Sequence, residues 1–105
     1  MALKLKIITP QGIFLDDIVD VVTLKTTEGY LSILAQHIPL VANLEVAMMS
    51  FKKANQETKL LLSAGLLYST RNEVKILTDG IEYEQTAKDN LSQLVKNRQT
   101  KITDV

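Results

Sequence analysis

The chain has 105 residues, 46% of them hydrophobic and 23% charged, which is the size and balance of one globular domain. Twelve basic residues balance twelve acidic ones, so the chain lacks the excess of Lys and Arg that binding to nucleic acid or to an anionic membrane surface requires. It contains no cysteine and one histidine, which excludes disulfides, thiol catalysis and metal sites built from cysteines or several histidines. No apolar run approaches the ~20 residues of a membrane-spanning helix, and the N-terminus lacks the apolar segment of a signal peptide, so we expect a soluble chain.

Short strand-like runs separated by turns fill the first eighty residues. Leu3, Leu5 and Ile7 alternate with other residues at the period of a half-buried strand, and a turn follows at residues 10–12. Pro39 cannot lie in a central strand, because it has no N–H to donate. Turns recur about every eight to twelve residues, which predicts an antiparallel sandwich or barrel rather than alternating strands and helices. Further strand-like runs are predicted at 13–15, 18–24, 30–34, 40–44, 46–53, 59–64, 66–69 and 74–77.

The pattern changes at Asp79 and Gly80, and helical spacing replaces alternation. Thr86 is a candidate N-cap with Asp89 three residues later, and we predict one helix from about Thr86 to Thr100. Its apolar stripe could pack on the sandwich or on a partner subunit; it consists of Ala87, Leu91, Leu94 and Val95. We therefore divide the chain into a β-sandwich domain at 1–80 and a helical region at 81–105.

The sequence contains no recognisable catalytic or cofactor motif. The four glycines are scattered, which excludes a G-x-G-x-x-G loop and a Walker-type phosphate loop, and there is no G-x-S-x-G element. His37 has no nucleophile close to it in sequence, so a packing or interface role is favoured over that of a general base. The paired acids at 16–17 and at 82 and 84 lie beside turn signals, where carboxylates are usually solvated. We predict a non-enzymatic protein with no catalytic residue, no cofactor and no metal.

The segment 26–41 combines a glycine turn, a short strand and a loop that ends in His-Ile-Pro. It sets apolar Tyr30, Ile38 and Leu40 near polar Glu28 and His37. Because loops held by a rigid sheet often carry recognition, we predict that this segment is a protein-binding rim.

Several ordered motifs over residues 3–80 are similar to those of one family. Residues 5–12 read L-K-I-I-T-P-Q-G, residues 19–29 read V-D-V-V-T-L-K-T-T-E-G, and residues 33–41 contain I-L followed by H-I-P-L-V. The stretches L-S-A-G-L-L at 62–67 and N-E-V-K-I-L-T-D at 72–79 continue the likeness. The chain resembles the epsilon subunit of bacterial F-type ATP synthase, which is called delta in mitochondria.

The resemblance implies a flattened antiparallel β-sandwich of two five-stranded sheets, followed here by a single C-terminal helix. It implies a non-catalytic central-stalk subunit that links gamma to the c-ring and couples ion-driven rotation to ATP synthesis or hydrolysis. The expected partners are the gamma subunit and the c-ring, with a further contact to the alpha/beta catalytic head. The expected location is the cytoplasmic face of the bacterial cell membrane, reached only through the complex. By position, the residues facing gamma and the ring are Glu28, Tyr30, His37, Ile38 and Pro39, and Thr9 lies near the gamma contact.

Three segments depart from the family pattern. Ala35-Gln36 stands where many members have Pro-Gly, and Ser63-Ala64-Gly65 stands where many have Ser-Gly-Gly. Residues 85–91 do not match the I-D-x-x-R-A pattern that is associated with ATP binding in some bacteria. A helix of roughly fifteen residues spans only about 22 Å, so we predict neither an ATP site nor an inhibitory arm that reaches the catalytic head.

The sequence leaves two alternatives open. The chain could be a sandwich paralogue that serves a specialised rotary-type ATPase without a standard c-ring, and a neighbouring gene for a normal gamma or c subunit would argue against that. A small enzyme would require an acid–base pair or a metal in a deep pocket.

Overall fold

The computed structural model describes residues 2–84, which form ten β-strands. Seven of the nine runs of alternating or apolar residues predicted from the sequence correspond closely to strands, and the runs at 13–15 and 18–24 do not. Each strand is flanked by a turn or a short connection. The strands are β1 (Leu3–Thr9), β2 (Gly12–Val19), β3 (Val21–Thr26), β4 (Gly29–Leu34), β5 (Leu40–Leu44), β6 (Ala47–Lys53), β7 (Gln56–Leu62), β8 (Gly65–Ser69), β9 (Glu73–Thr78) and β10 (Ile81–Tyr83).

Alternation along the strands produces one apolar interior. Leu3, Leu5 and Ile7 are completely buried, while the residues between them are partly exposed, as the period of two requires. Each fully buried aliphatic side chain contributes about 1.5–3 kcal/mol relative to exposure. The other buried apolar side chains are Val19, Val22, Leu24, Ile33, Leu44, Met49, Phe51, Leu60, Leu62, Leu67, Val74 and Ile76.

Hydrogen bonding joins all ten strands into one curled sheet. The strands fall into two groups of five, β4-β3-β6-β7-β10 and β5-β8-β9-β1-β2, which are the two layers of a sandwich. The only ladder pair between the groups joins Thr26 of β3 to Leu44 of β5. The N–H of Thr27 donates to Asn43 at 3.1 Å and that of Glu45 donates to Lys25 at 3.2 Å on either side of it. The mainly-β sandwich is confirmed, and its two five-stranded layers are continuous through this junction. The expectation of a wholly antiparallel sandwich is wrong at one place, because β1 pairs with β9 in parallel.

The layers are also connected on the opposite side, at β2. The Lys53 ammonium of β6 donates to both carboxylate oxygens of Asp17 of β2, at 2.9 and 2.8 Å. The rings of Phe14 of β2 and Tyr83 of β10 lie 5.4 Å apart between centroids, in a tilted arrangement. A tilted aromatic pair at this separation is favourable beyond the area that it buries. Together these contacts hold the edge of one layer against the other.

Two boundaries differ from the sequence analysis. The expectation of separate strands at 13–15 and 18–24 is wrong, because β2 runs through Asp16 and Asp17 to Val19 and β3 begins at Val21. β2 has a neighbour on one side only and half of its residues face solvent, so carboxylates fit within it. The second difference is at residue 80, where the β-sandwich was expected to end: β10 lies beyond it and pairs with β7. The helix predicted from Thr86 to Thr100 lies outside the described residues, and the domain division stays a prediction.

The Asp17–Lys53 pair leads to a prediction about pH. The hydrogen bond from Lys53, followed by that from the Ile18 N–H, lowers the pKa of Asp17 below its ordinary value. A lowered folded-state pKa means that the stabilisation is present above the unfolded pKa and is lost as pH falls through the folded pKa. We expect Lys53→Met to raise the pKa of Asp17 toward its ordinary value in a carboxyl-carbon NMR titration. Lys4→Met is the matched control, because Lys4 lies beside Asp16 instead; an equal shift in both variants would contradict the assignment.

Candidate partner-binding surfaces

Two hairpins at the predicted binding residues have turns of the same kind, each held by a threonine hydroxyl. In the β3–β4 turn, the Thr26 hydroxyl donates to the carbonyl of Gly29 at 3.0 Å and accepts from the N–H of Glu28 at 3.1 Å. Thr9 makes the same two contacts in the β1–β2 turn, to Gly12 at 3.1 Å and from Gln11 at 3.3 Å. Hydroxyl bonds of this kind fix a turn without any tertiary contact. Thr9 is therefore a structural residue of its turn, in addition to being a predicted contact residue.

A cleft of about 500 Å³ lies between the β3–β4 turn and β5. We call it the seam cleft, because it follows the side on which the two layers join. Tyr30 is 66% exposed at its edge, and the Lys25 ammonium lies 5.8 Å from the centroid of its ring. Lys25 also pairs with Glu45 at 3.6 Å. The cleft is lined by Thr26, Thr27, Glu28, Gly29, Tyr30, Leu31, Leu40, Val41, Ala42 and Asn43.

The loop that carries His37 is fixed to the β8–β9 turn. Gln36 has a φ of 70°, its N–H donates to Arg71 at 2.6 Å, and its side-chain amide donates to Asn72 at 3.1 Å. The Nδ1 of His37 lies 2.8 Å from the carbonyl oxygen of Ile38. Because a carbonyl oxygen can only accept a hydrogen bond, Nδ1 is the donor in this contact and carries a proton. The loop presents Ile38, which is 79% exposed, on a well-anchored backbone.

The predicted rim is divided between two ends of one strand. Glu28 precedes β4 and His37 follows it, and a strand of six residues is about 20 Å long. The structure brings Glu28 and Tyr30 together in the seam cleft. It places His37, Ile38 and the following Pro39 in the loop beyond the other end of β4. The sequence placed these residues close together because they are near in the chain, and the intervening strand separates them.

One apolar surface was missed by the sequence analysis. Leu66, Leu77, Ile8 and Ile13 are register partners across four neighbouring strands, β8, β9, β1 and β2. They lie on the outer face of their layer, where Ile13 is 58% and Leu77 is 45% exposed. We call this set the outer apolar row. The signal was present in Leu66-Leu67 and Ile76-Leu77, because two adjacent apolar residues in a strand cannot both face the core.

Thr9 lies beside the outer apolar row. It lines a shallow depression of about 380 Å³ together with Pro10 and Asp79, and the depression also includes Ile8, Leu66 and Leu77 of the row. Monomeric proteins rarely expose a large contiguous apolar patch unless the patch contacts something. The arrangement suits contact between proteins better than chemistry on a small molecule. Among residues 2–84 no three His, Asp or Glu side chains come together as a metal site, and no helix there has the length and apolar character to cross a membrane.

Comparison with known proteins gives a consistent result. A family model described as the beta-sandwich domain of the ATP synthase Delta/Epsilon chain matches residues 2–84. The ATP synthase epsilon chain of Mycoplasma mobile is 39% identical over 84 residues, which span 78% of this chain and 60% of that protein. The ATP synthase epsilon chain of Alkalihalophilus pseudofirmus is 34% identical over 96 residues, which span 91% of this chain and 72% of that protein. The chain therefore covers less than two thirds of the Mycoplasma mobile relative.

A solved structure shares the fold. A chain in the cryo-EM structure of the Euglena gracilis mitochondrial ATP synthase, which contains OSCP, F1 and the c-ring, superposes with a TM-score of 0.78. The two chains are 18% identical, and the match covers 94% of this chain and 64% of the other. At this level of identity the likeness concerns the architecture alone.

Proposed function

The chain belongs to the Delta/Epsilon chain family of ATP synthases, and from this we propose that it is a non-catalytic subunit of the central stalk. In this role it links the gamma subunit to the c-ring and transmits ion-driven rotation to the catalytic head. The outer apolar row is the observation that carries the proposal. It is an apolar surface on a domain that already has a complete core of its own.

We assign the outer apolar row and Thr9 to the gamma subunit. Four register partners on adjacent strands form a flat strip that a partner can cover without any change in the sandwich. Burial of exposed leucine and isoleucine side chains drives association, and a few such anchors usually dominate the affinity. Thr9 contributes a polar group at the end of this strip.

We assign the two ends of β4 to the polar surfaces of the rotor. Glu28 and Tyr30 offer a carboxylate and an exposed aromatic ring at one end, and His37, Ile38 and Pro39 offer an anchored loop at the other. Polar groups around an apolar contact set orientation more than affinity. These residues therefore fix how the sandwich sits on gamma and the c-ring, with a further contact to the alpha/beta head.

A charge in the outer apolar row tests the gamma contact. We expect Leu77→Lys to weaken binding of the purified gamma subunit by about 30-fold or more, because an interface anchor is worth about 2 kcal/mol or more. Val46→Lys is the matched control, since Val46 is also an apolar, exposed residue and lies in the β5–β6 connection. The measurement is a titration by isothermal calorimetry.

The two variants should have equal thermal stability, which separates binding from folding. If Leu77→Lys binds gamma as tightly as Val46→Lys does, the outer apolar row is not the gamma contact. If neither variant nor the original chain binds gamma, the stalk function itself is contradicted.

The C-terminal segment gives a second test. Because residues 85–91 lack the family's ATP-associated pattern, we expect deletion of residues 86–105 to leave ATP hydrolysis by the assembled complex unchanged. The measurement is the hydrolysis rate of complexes rebuilt with full-length and shortened chains. A rate several times faster with the shortened chain would mean that this segment inhibits the enzyme.

The proposed location follows from the partners. A subunit bound to gamma and the c-ring lies at the cytoplasmic face of the bacterial cell membrane and reaches the membrane only through the complex. A specialised rotary ATPase without a standard c-ring remains the alternative from the sequence, and the names of the two relatives favour an ATP synthase over it.

A further inference from the structure

Three strands of the described residues have a hydrogen-bonded neighbour on one side only: β2, β4 and β10. Open strand edges invite pairing with other chains, and proteins usually protect them with charges, bulges or short length. β2 carries Asp16 and Asp17 and has an irregular register opposite Ile7 and Ile8. β10 has only three residues, one of which is Glu82. Both of these edges are protected.

The edge of β4 has none of these protections. Its six residues, G-Y-L-S-I-L, include no charge and no proline, and they pair with β3 in an uninterrupted register. On β3, the backbone groups of Lys25 and the adjoining Thr27 are directed toward β5. Backbone direction alternates along a strand, so Gly29, Leu31 and Ile33 bond to β3, and Tyr30, Ser32 and Leu34 direct their N–H groups outward.

This edge is complementary to itself. In an antiparallel pairing centred on Ser32, Ser32 meets Ser32 of a second copy, and each Tyr30 meets the Leu34 of the other. Tyr30 is 66% exposed and Leu34 is 56% exposed, and their side chains share one face of the sheet with Ser32. An aromatic ring opposite an aliphatic side chain is a favourable cross-strand pair. We propose that the free subunit forms a symmetric dimer by pairing β4 with β4 of a second copy.

The charges around the edge agree with this occupant. In the same register, Glu28 lies opposite the Gln36–His37 loop of the other copy, so no two like charges face each other across the axis. The net charge of the chain is zero, so the copies do not repel one another as whole molecules. A charged partner strand would find no counter-charge between residues 29 and 34.

The dimer would have a consequence for assembly. Glu28, Tyr30 and His37 flank or belong to this edge, and they are also proposed rotor contacts. The dimer and the rotor-bound state therefore exclude one another at these residues. Self-pairing is a state of the unassembled subunit. The proposed dimer therefore does not depend on the assignment of the rotor contacts.

A single introduced cysteine tests the dimer directly, because the chain has none of its own. Hydrogen-bonded antiparallel residues have Cα atoms about 5.5 Å apart, a separation that a disulfide can span. We expect Ser32→Cys to crosslink between copies, with oxidised glutathione as the electron acceptor, more than about tenfold faster than random collision allows. Ile18→Cys is the matched control, because Ile18 is an exposed residue on the protected edge strand β2.

A measurement without crosslinking completes the test. We expect the full-length chain to show a concentration-dependent monomer–dimer equilibrium in sedimentation velocity, and Leu34→Lys to abolish it with an unchanged melting temperature. Equal crosslinking of Ser32→Cys and Ile18→Cys would overturn the proposal. A chain that stays monomeric would also overturn the proposal. If such a monomeric chain lost gamma binding on Leu34→Lys, the β4 edge would instead be assigned to pairing with a strand of the rotor.

Discussion

Replacing Gly65 with alanine is expected to destabilise the domain by about 3 kcal/mol or more, the upper end of what overpacking costs. Gly65 is the first residue of β8 and pairs with Leu44 of β5 on one side and with Thr78 of β9 on the other. A Cβ at this position would overlap the carbonyl oxygen of Leu77 and lie 3.1 Å from the Cα of Thr78. Both are backbone atoms, so relief requires β9 to move away from β8.

Gly80→Ala is the matched control for this variant. Its Cβ would lie 3.3 Å from the Ser63 hydroxyl, which is a side-chain atom that can rotate away. We expect a change of less than about 1 kcal/mol there, as for most substitutions outside special sites. Urea unfolding followed by circular dichroism measures both. Similar midpoints for the two variants would mean that β9 moves away easily. That result would contradict the expected cost of a side chain between β8 and β9.

Leu5→Ala is expected to cost about 2–5 kcal/mol, whereas Leu66→Ala should cost much less. Leu5 is completely buried and lies in β1 between β2 and β9, so its removal leaves a cavity that the two neighbouring strands prevent from closing. Leu66 is the same residue type on the outer face, where water fills the space that its side chain vacates. Thermal unfolding of the two variants gives the comparison.

This contrast bears directly on function. If Leu66→Ala destabilised the isolated domain as much as Leu5→Ala, the outer apolar row would belong to the core and would not be available to a partner. A small effect on stability together with weaker gamma binding is the result that an interface residue gives.

Much of the fold was predictable from local patterns. The alternation in Leu3, Leu5 and Ile7 predicted β1 and its buried face, and the glycine turn at the start of segment 26–41 together with the run at 30–34 predicted the turn before β4 and β4 itself. These features depend on the period of a strand and on turn chemistry, both of which can be read within a few residues.

Other features depended on contacts between distant residues. The junction of the two layers consists of one ladder pair, Thr26 with Leu44, and nothing in either local sequence distinguishes that pair. The partner of Asp17 is Lys53, which lies 36 positions away in the sequence. The separation of Glu28 from His37 is different, because the strand predicted at 30–34 already implies that the two residues lie at its opposite ends.

The central claim is that the outer apolar row binds the gamma subunit, and co-purification at native levels tests it most directly. Tagged full-length chain and its Leu77→Lys variant are recovered from the cells that make the chain, and the bound proteins are identified by mass spectrometry. We predict that the gamma and c subunits accompany the original chain and that the variant loses gamma. Recovery of gamma in equal amounts with both, or of no ATPase subunit with either, would contradict the claim.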